Sequence, residues 1–233
     1  MPSLTHRLRQ PEWMDQPDIP APELHRSLRF IRIINSLLGY KRAIVRQLAR
    51  FASRWNPVQR IDIVDLATGS ADIPLAILRW ADRKGLNVHI VGIDKHPLTT
   101  AVAAERSHHP NLRIVQADVF NLPFQPHSFD YAISAMFLHH LDDTDIIRVL
   151  RTMDRLSRRG IIASDLLRHR RAHAWINLLT LPCGQLLRHD ATVSVAQSLT
   201  KPEVLRLRDQ AALPYARYHR HFAHRWTLAG EKL

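Results

Sequence analysis

The chain has 233 residues, 45% hydrophobic and 23% charged, a globular composition with room for one α/β domain and too apolar for a disordered chain. Its one cysteine, Cys183, excludes an intramolecular disulfide or a cysteine-rich metal cluster, and no apolar run approaches the ~20 residues of a membrane-spanning helix. The formal net charge of +12 would favour nucleic acid or an anionic surface if it were focused, but arginines are dispersed in clusters at 26–50, 148–159, 168–171 and 217–225, so a nucleic-acid partner is not expected and a soluble cytoplasmic protein is.

Residues 1–22 hold five of the 14 prolines and read as an extended, loosely structured arm. Leu24, Leu28, Ile31, Ile34 and Leu38 recur at three- and four-residue spacing, which predicts a helix from Glu23 to near Gly39, with a second over about 41–55. Residues 1–56 thus form an arm and helical extension, and 57–233 the main domain. There the period changes. Short apolar runs at 61–66, 88–94, 112–117, 129–136 and 160–166 predict strands, and helical patterns fill 74–83, 98–107 and 143–156. Residues 216–221 and 223–228 resemble a closing hairpin. Strands alternating with helices imply an α/β, doubly wound, mostly parallel sheet with right-handed crossovers.

The segment Ile63-Val64-Asp65-Leu66-Ala67-Thr68-Gly69-Ser70-Ala71-Asp72 resembles the first motif of class I (Rossmann-like) S-adenosylmethionine-dependent methyltransferases, an acidic strand end followed by a Gly-x-Gly-x-Gly turn. Only Gly69 is kept; Ala67 and Ala71 stand where the outer glycines usually stand, and alanine fits such a turn at negative φ. Asp94 ends the second strand, where the resemblance implies a carboxylate on both ribose hydroxyls of the cofactor. The residue alone equally allows a helix N-cap before Pro97. Asp118, after the third strand, matches the family's acceptor for the adenine amino group, or is an ordinary loop carboxylate. The stretch 122–133 resembles the family's approach to its fourth strand, and the likeness runs from about 61 to 166. It implies a seven-stranded sheet with an N-terminal helical lid, S-adenosyl-L-methionine as cofactor, and cofactor contacts at Asp65, Ala67, Gly69, Asp94, Lys95, Asp118, Val119 and Ser134. Strand C-terminal ends meet at the topological switch point, which gathers these carboxylates from distant positions.

After the fourth strand come His139 and His140, where the family's comparable segment faces the transferable methyl. An unperturbed imidazole accepts a phenol or enol proton near neutral pH, so either is a general-base candidate; shaping the wall or capping the next helix is the other reading. Asp165, Arg168 and His169 lie at the same sheet edge, and Arg168 is a candidate for an acidic substrate or a surface arginine. His169 and His173 have the spacing of a metal pair, but nothing completes a site and no metal is expected. In the lid, Trp13, Met14, Phe30, Ile34, Leu37 and Tyr40 either face the substrate or pack on the sheet, with Trp13 and Tyr40 the substrate candidates. The expected activity is methylation of oxygen, less so carbon, of a small aromatic or polyketide-like metabolite. An RNA or DNA methyltransferase, favoured only by charge, and a non-catalytic protein that lost the loop glycines are the alternatives. Oligomeric state is not readable.

Overall fold

A computed structural model describes residues 4–15, 19–56 and 58–232, with the side chains of 15 and 35–37 outside that description. Seven strands form one sheet in the order β3-β2-β1-β4-β5-β7-β6: β1 (Ile61–Leu66), β2 (Val88–Asp94), β3 (Leu112–Gln116), β4 (Phe129–Ala135), β5 (Ser157–Leu166), β6 (Arg217–His221) and β7 (Arg225–Glu231). Strands β1 to β5 pair in parallel, and β7 runs antiparallel to both β5 and β6. The doubly wound sheet is as the alternating pattern implies, and its strand order reverses between β1 and β4.

Alternation along the strands sends neighbouring side chains to opposite layers. Ile61, Ile63, Tyr131, Ile133 and Ile162 pack with α2 (Tyr40–Ala52) and α3 (Asp72–Lys84). Leu66, Ala132, Ile161 and Ala163 pack with α5 (Asp143–Leu156) and α8 (Lys201–Gln210). Helix α5 buries Ile146, Val149, Leu150, Met153 and Leu156, a 3–4 spacing that makes one apolar face. It starts where Asp142 accepts from the Asp145 N–H at 2.8 Å. A reciprocal Thr200–Glu203 box starts α8.

Helix α1 is Ala21–Leu37, two residues earlier than its apolar spacing suggests, and α4 is Pro97–Arg106. Between β5 and β6 the chain adds α6 (Arg170–Leu179) and α7 (Gln185–Gln197) ahead of α8, none of them foreseen. The N-terminal arm departs from expectation in another way. Residues 4–15 are tied down: the Arg7 guanidinium donates to the carbonyls of Gln197, Leu138, His139 and Leu141, and the Trp13 and Met14 N–H groups donate to Asp190. Side-chain hydrogen bonds order the arm where proline content alone suggests looseness.

Candidate active site

A cavity of about 1110 Å³ opens at the C-terminal ends of β1, β2 and β4, between α1 and α6, the place where doubly wound sheets hold ligands. Asp65 reaches it from β1. Its Oδ2 accepts from the Thr68 hydroxyl at 2.7 Å, and Gly92 on β2 leaves room for Thr68, since a Cβ there would lie 2.9 Å from Thr68 Oγ1. Asp65 Oδ1 is buried without a partner. Burial pushes the Asp65 carboxyl up to about 7 against the Thr68 hydrogen bond, so a cationic ligand group fits here.

The turn after Asp65 corrects the sequence reading. Ala67 and Ala71 hold φ of 58° and 57°, beside Gly69 at 56°, so both alanines adopt the left-handed conformation that favours glycine. That costs an L-residue roughly 1–2 kcal/mol each, and the loop keeps the glycine shape. A Cβ on Gly69 would meet nothing within 4 Å; it would project into open cavity. Among the described residues seven non-glycines have positive φ, and four of them, Ala67, Met136, Ala223 and His224, line this cavity, the kind of clustering that accompanies function.

Asp94 does not cap α4. His96 does, its Nδ1 accepting from the Thr99 N–H. Asp94 instead accepts from Gly69 N–H through Oδ2 and from His96 N–H through Oδ1, each at 3.0 Å. Asp118, exposed, accepts from the Phe120 N–H at 2.9 Å. Asp94, Lys95, Asp118 and Val119 line the cavity. Ser134 does not; it is buried in the sheet, its hydroxyl donating to the Leu66 carbonyl at 3.1 Å, which makes it a β4–β1 cross-link.

Across the cavity, His139 follows β4 in a short 3-10 turn, Leu138–His140, and is 3% exposed. Its Nδ1 lies 2.7 Å from Asp165 Oδ1 at the end of β5, and its backbone N–H donates to Asp165 Oδ2 at 3.0 Å. Its Nε2 is 3.5 Å from Glu12 Oε1 of the arm. Burial alone would lower its pKa, but Asp165 and Glu12 outweigh burial and push it up to about 10; His140 and His139 hold Glu12 down at about 2 despite burial. These contacts favour the protonated form of His139, in which its ring nitrogens donate to Asp165 and toward Glu12. His140 packs against it, ring centroids 4.2 Å apart, and faces the cavity.

Of the lid candidates, Met14, Phe30, Ile34 and Tyr40 line the cavity; the side chain of Leu37 lies outside the described residues. Tyr40 is fully buried and donates to the Ser164 carbonyl at 2.8 Å. Trp13 stacks on His189 at 4.0 Å off the cavity wall, so the arm, not the acceptor, is what it holds. Arg168 is buried too. It donates to the carbonyls of Leu4 and Ser198 and to Glu203 and is off the cavity wall, a structural arginine in place of the expected substrate contact. His169 caps α6 and stacks on His224.

Sequence reasoning missed Glu12, which nothing in its local pattern marks, and the pairing of Asp165 with His139. Two carboxylate strand ends flanking a histidine turn were the available signal. It also missed Arg171, Trp175 and Leu179 of α6, which line the cavity.

A family model described as a methyltransferase domain matches residues 63–160, from β1 into β5. A 2-phytyl-1,4-naphtoquinone methyltransferase of Nostoc punctiforme is 35% identical over 111 residues, 46% of each chain; one of Thermosynechococcus vestitus is 32% identical over 94 residues, 40% of each. The match thus spans less than half the length of these relatives. Among solved structures, the CurJ carbon methyltransferase superposes with a TM-score of 0.71 at 12% identity, covering 93% of this chain and 61% of that one. Magnesium protoporphyrin IX methyltransferase from Synechocystis with bound SAH gives 0.59 at 11%, covering 90% and 87%. With the strand order, the left-handed loop and the carboxylates at successive strand ends, these give the chain the fold of the class I methyltransferases and, over residues 63–160, a match to the methyltransferase domain.

Proposed function

We propose that this chain transfers a methyl group from S-adenosylmethionine to oxygen or carbon of a small, apolar aromatic or quinol-like acceptor. The single observation that carries the reading is one cavity with two unlike ends: Asp65, Asp94 and Asp118 on the strand tips, and the buried His139 held by Asp165 opposite them. Bound S-adenosylmethionine supplies an electrophilic methyl on a sulfonium, and in-line displacement by a nucleophile leaves the thioether. Asp94 and Asp118 would accept from ribose and adenine, and Gly69 would leave room for the methionine portion. In-line transfer needs alignment more than covalent help.

His139 serves a different purpose from a base. An imidazolium fixed by Asp165 places a positive donor beside the acceptor, where it lowers the pKa of a phenol or enol and so raises the fraction present as the nucleophilic phenolate or enolate, the acceptor's proton leaving to solvent before methyl transfer. Met14, Ile34, Trp175 and Leu179 give the acceptor space an apolar wall, which agrees with the naphthoquinone named for the similar proteins of Nostoc and Thermosynechococcus. The left-handed Ala67 and Ala71 speak against a relic loop.

The test is incubation with S-adenosylmethionine and a panel of naphthoquinols, substituted phenols and β-diketones, read by mass spectrometry for one added methyl and for S-adenosylhomocysteine in equal amount. Calorimetric binding of either cofactor form with no turnover on any acceptor would overturn the acceptor class. No saturable binding of either form would overturn the enzyme reading.

A further inference from the structure

Glu12, His139 and His140 bring one carboxylate oxygen and two ring nitrogens within 4.8 Å of one another, the one such cluster among the described residues. From this geometry we infer a divalent transition-metal site, with Glu12, His139 and His140 as its three protein ligands. The donor set is two nitrogens and one oxygen, which suits Zn²⁺, Co²⁺, Fe²⁺ or Mn²⁺ and not the all-oxygen preference of Ca²⁺.

The surroundings are built as a ligand's surroundings must be. Asp165 holds His139 Nδ1 at 2.7 Å, which fixes the ring and leaves Nε2 facing Glu12 at 3.5 Å; this carboxylate–histidine arrangement is what orients metal-binding imidazoles. Glu12 is itself held, its Oε1 accepting from Ser194 Oγ at 2.6 Å and Gln197 Nε2 at 3.0 Å. Charge points the same way. Glu12 and Asp165 are 3% and 1% exposed, two buried carboxylates, and of the cations whose charge acts on Asp165, Arg7 is also engaged by Asp143 and four carbonyls and Arg225 is itself buried. A divalent ion held by these ligands would face both buried carboxylates. His140 is exposed to the cavity, so the remaining coordination positions open toward the acceptor space, as in metal sites that act on a substrate. Such an ion would take the place of the His139 proton as the positive centre beside the acceptor's oxygen. The binding inference stands on these residues alone; its catalytic consequence rests on the proposed function.

The experiment uses the full chain, free of any affinity tag and stripped with a chelator, titrated with Co²⁺ and followed by its visible absorption and by calorimetry, with Zn²⁺ as competitor. The expected result is one tight equivalent displaced by Zn²⁺, weakened about 100-fold in Glu12→Gln and His140→Ala, and about 10–100-fold in Asp165→Asn. His173→Ala, on α6, should bind like the parent, which separates this site from the chain's other histidines. Circular dichroism and thermal melts establish that each variant folds; Glu12→Gln keeps the shape and removes the charge. Absence of a stoichiometric site, or affinity in both Glu12→Gln and His140→Ala within threefold of the parent, would overturn the inference. S-adenosylmethionine binding by the metal-free chain is measured in parallel. Metal binding without cofactor binding would sink the proposed function alone, and the reverse would sink the metal site alone.

Discussion

Gly69 donates its backbone N–H to Asp94 at 3.0 Å, joining the loop after β1 to the tip of β2 before any ligand arrives. The same carboxylate therefore shapes the loop and, under the proposed function, would also accept from the cofactor's ribose. Asp94→Ala should weaken binding of S-adenosylmethionine by about 1.5–3 kcal/mol, the cost of losing hydrogen bonds to a charged acceptor. Calorimetric titration of a folded variant with an unchanged dissociation constant would leave Asp94 with the loop alone.

Gly69 and Ala67 separate space from strain. A side chain at Gly69 would project into the cavity at a φ of 56° that β-branched residues resist, so Gly69→Val should abolish saturable cofactor binding while the sheet still melts cooperatively. Ala67→Gly relieves a left-handed alanine and should raise stability by about 0.5–1 kcal/mol, since part of the roughly 1–2 kcal/mol gain is offset by the freer unfolded chain. Ala71 is fully buried, and its lost methyl contact should bring Ala71→Gly back to within about 0.5 kcal/mol of the parent. Denaturant melts of the three variants check the order.

The sheet was legible because its signals are local. Short apolar runs bounded by helical patterns give the five parallel strands, and the resemblance to the methyltransferase motifs picks out Asp65, Asp94 and Asp118 near their ends. Helix α6 was not legible, because it buries no residue and its apolar side faces a cavity that exists only once the fold is formed. Glu12 lies 127 residues from His139, and no pattern in the chain joins them; Arg7, Ser194 and Gln197 do so through tertiary hydrogen bonds. Alanine in place of glycine was read as a sign of negative φ, whereas the fixed ends of β1 and α3 hold it left-handed.

Arg168 distinguishes a buried structural arginine from a substrate contact. Its guanidinium bridges Leu4, Ser198 and Glu203, linking the arm to the start of α8. Arg168→Ala should destabilise the chain by about 2–4 kcal/mol, because it strands Glu203 and two carbonyls. Cofactor affinity measured below the melting range should stay within threefold. A large affinity loss with little destabilisation would return Arg168 to ligand binding.

Asp65 makes the ligand-free chain pH-dependent in a direction opposite to most carboxylates. Its folded pKa is raised to about 7, first by burial and then by the nearby charges of Asp72 and Asp94, with Thr68 opposing. Between its unfolded value near ~3.9 and about 7 the folded state holds a proton that the unfolded state has released. By linkage, this group's contribution is fullest below ~3.9, falls as pH rises through that window, and is flat above about 7. Asp65→Asn keeps an acceptor for Thr68 and cannot ionise, so the parent's melting temperature should fall relative to that of Asp65→Asn between pH 5 and about 7, with the difference constant above. A cationic ligand reverses the preference. If the ammonium of the cofactor's methionine portion meets the ionised carboxylate, binding expels the proton, and affinity should climb by up to tenfold per pH unit below about 7 and then level off. Calorimetry in two buffers of different ionisation heat reads that proton directly. Proton release at pH 6 that vanishes in Asp65→Asn is the expected result; equal release in both chains would assign the proton to another group.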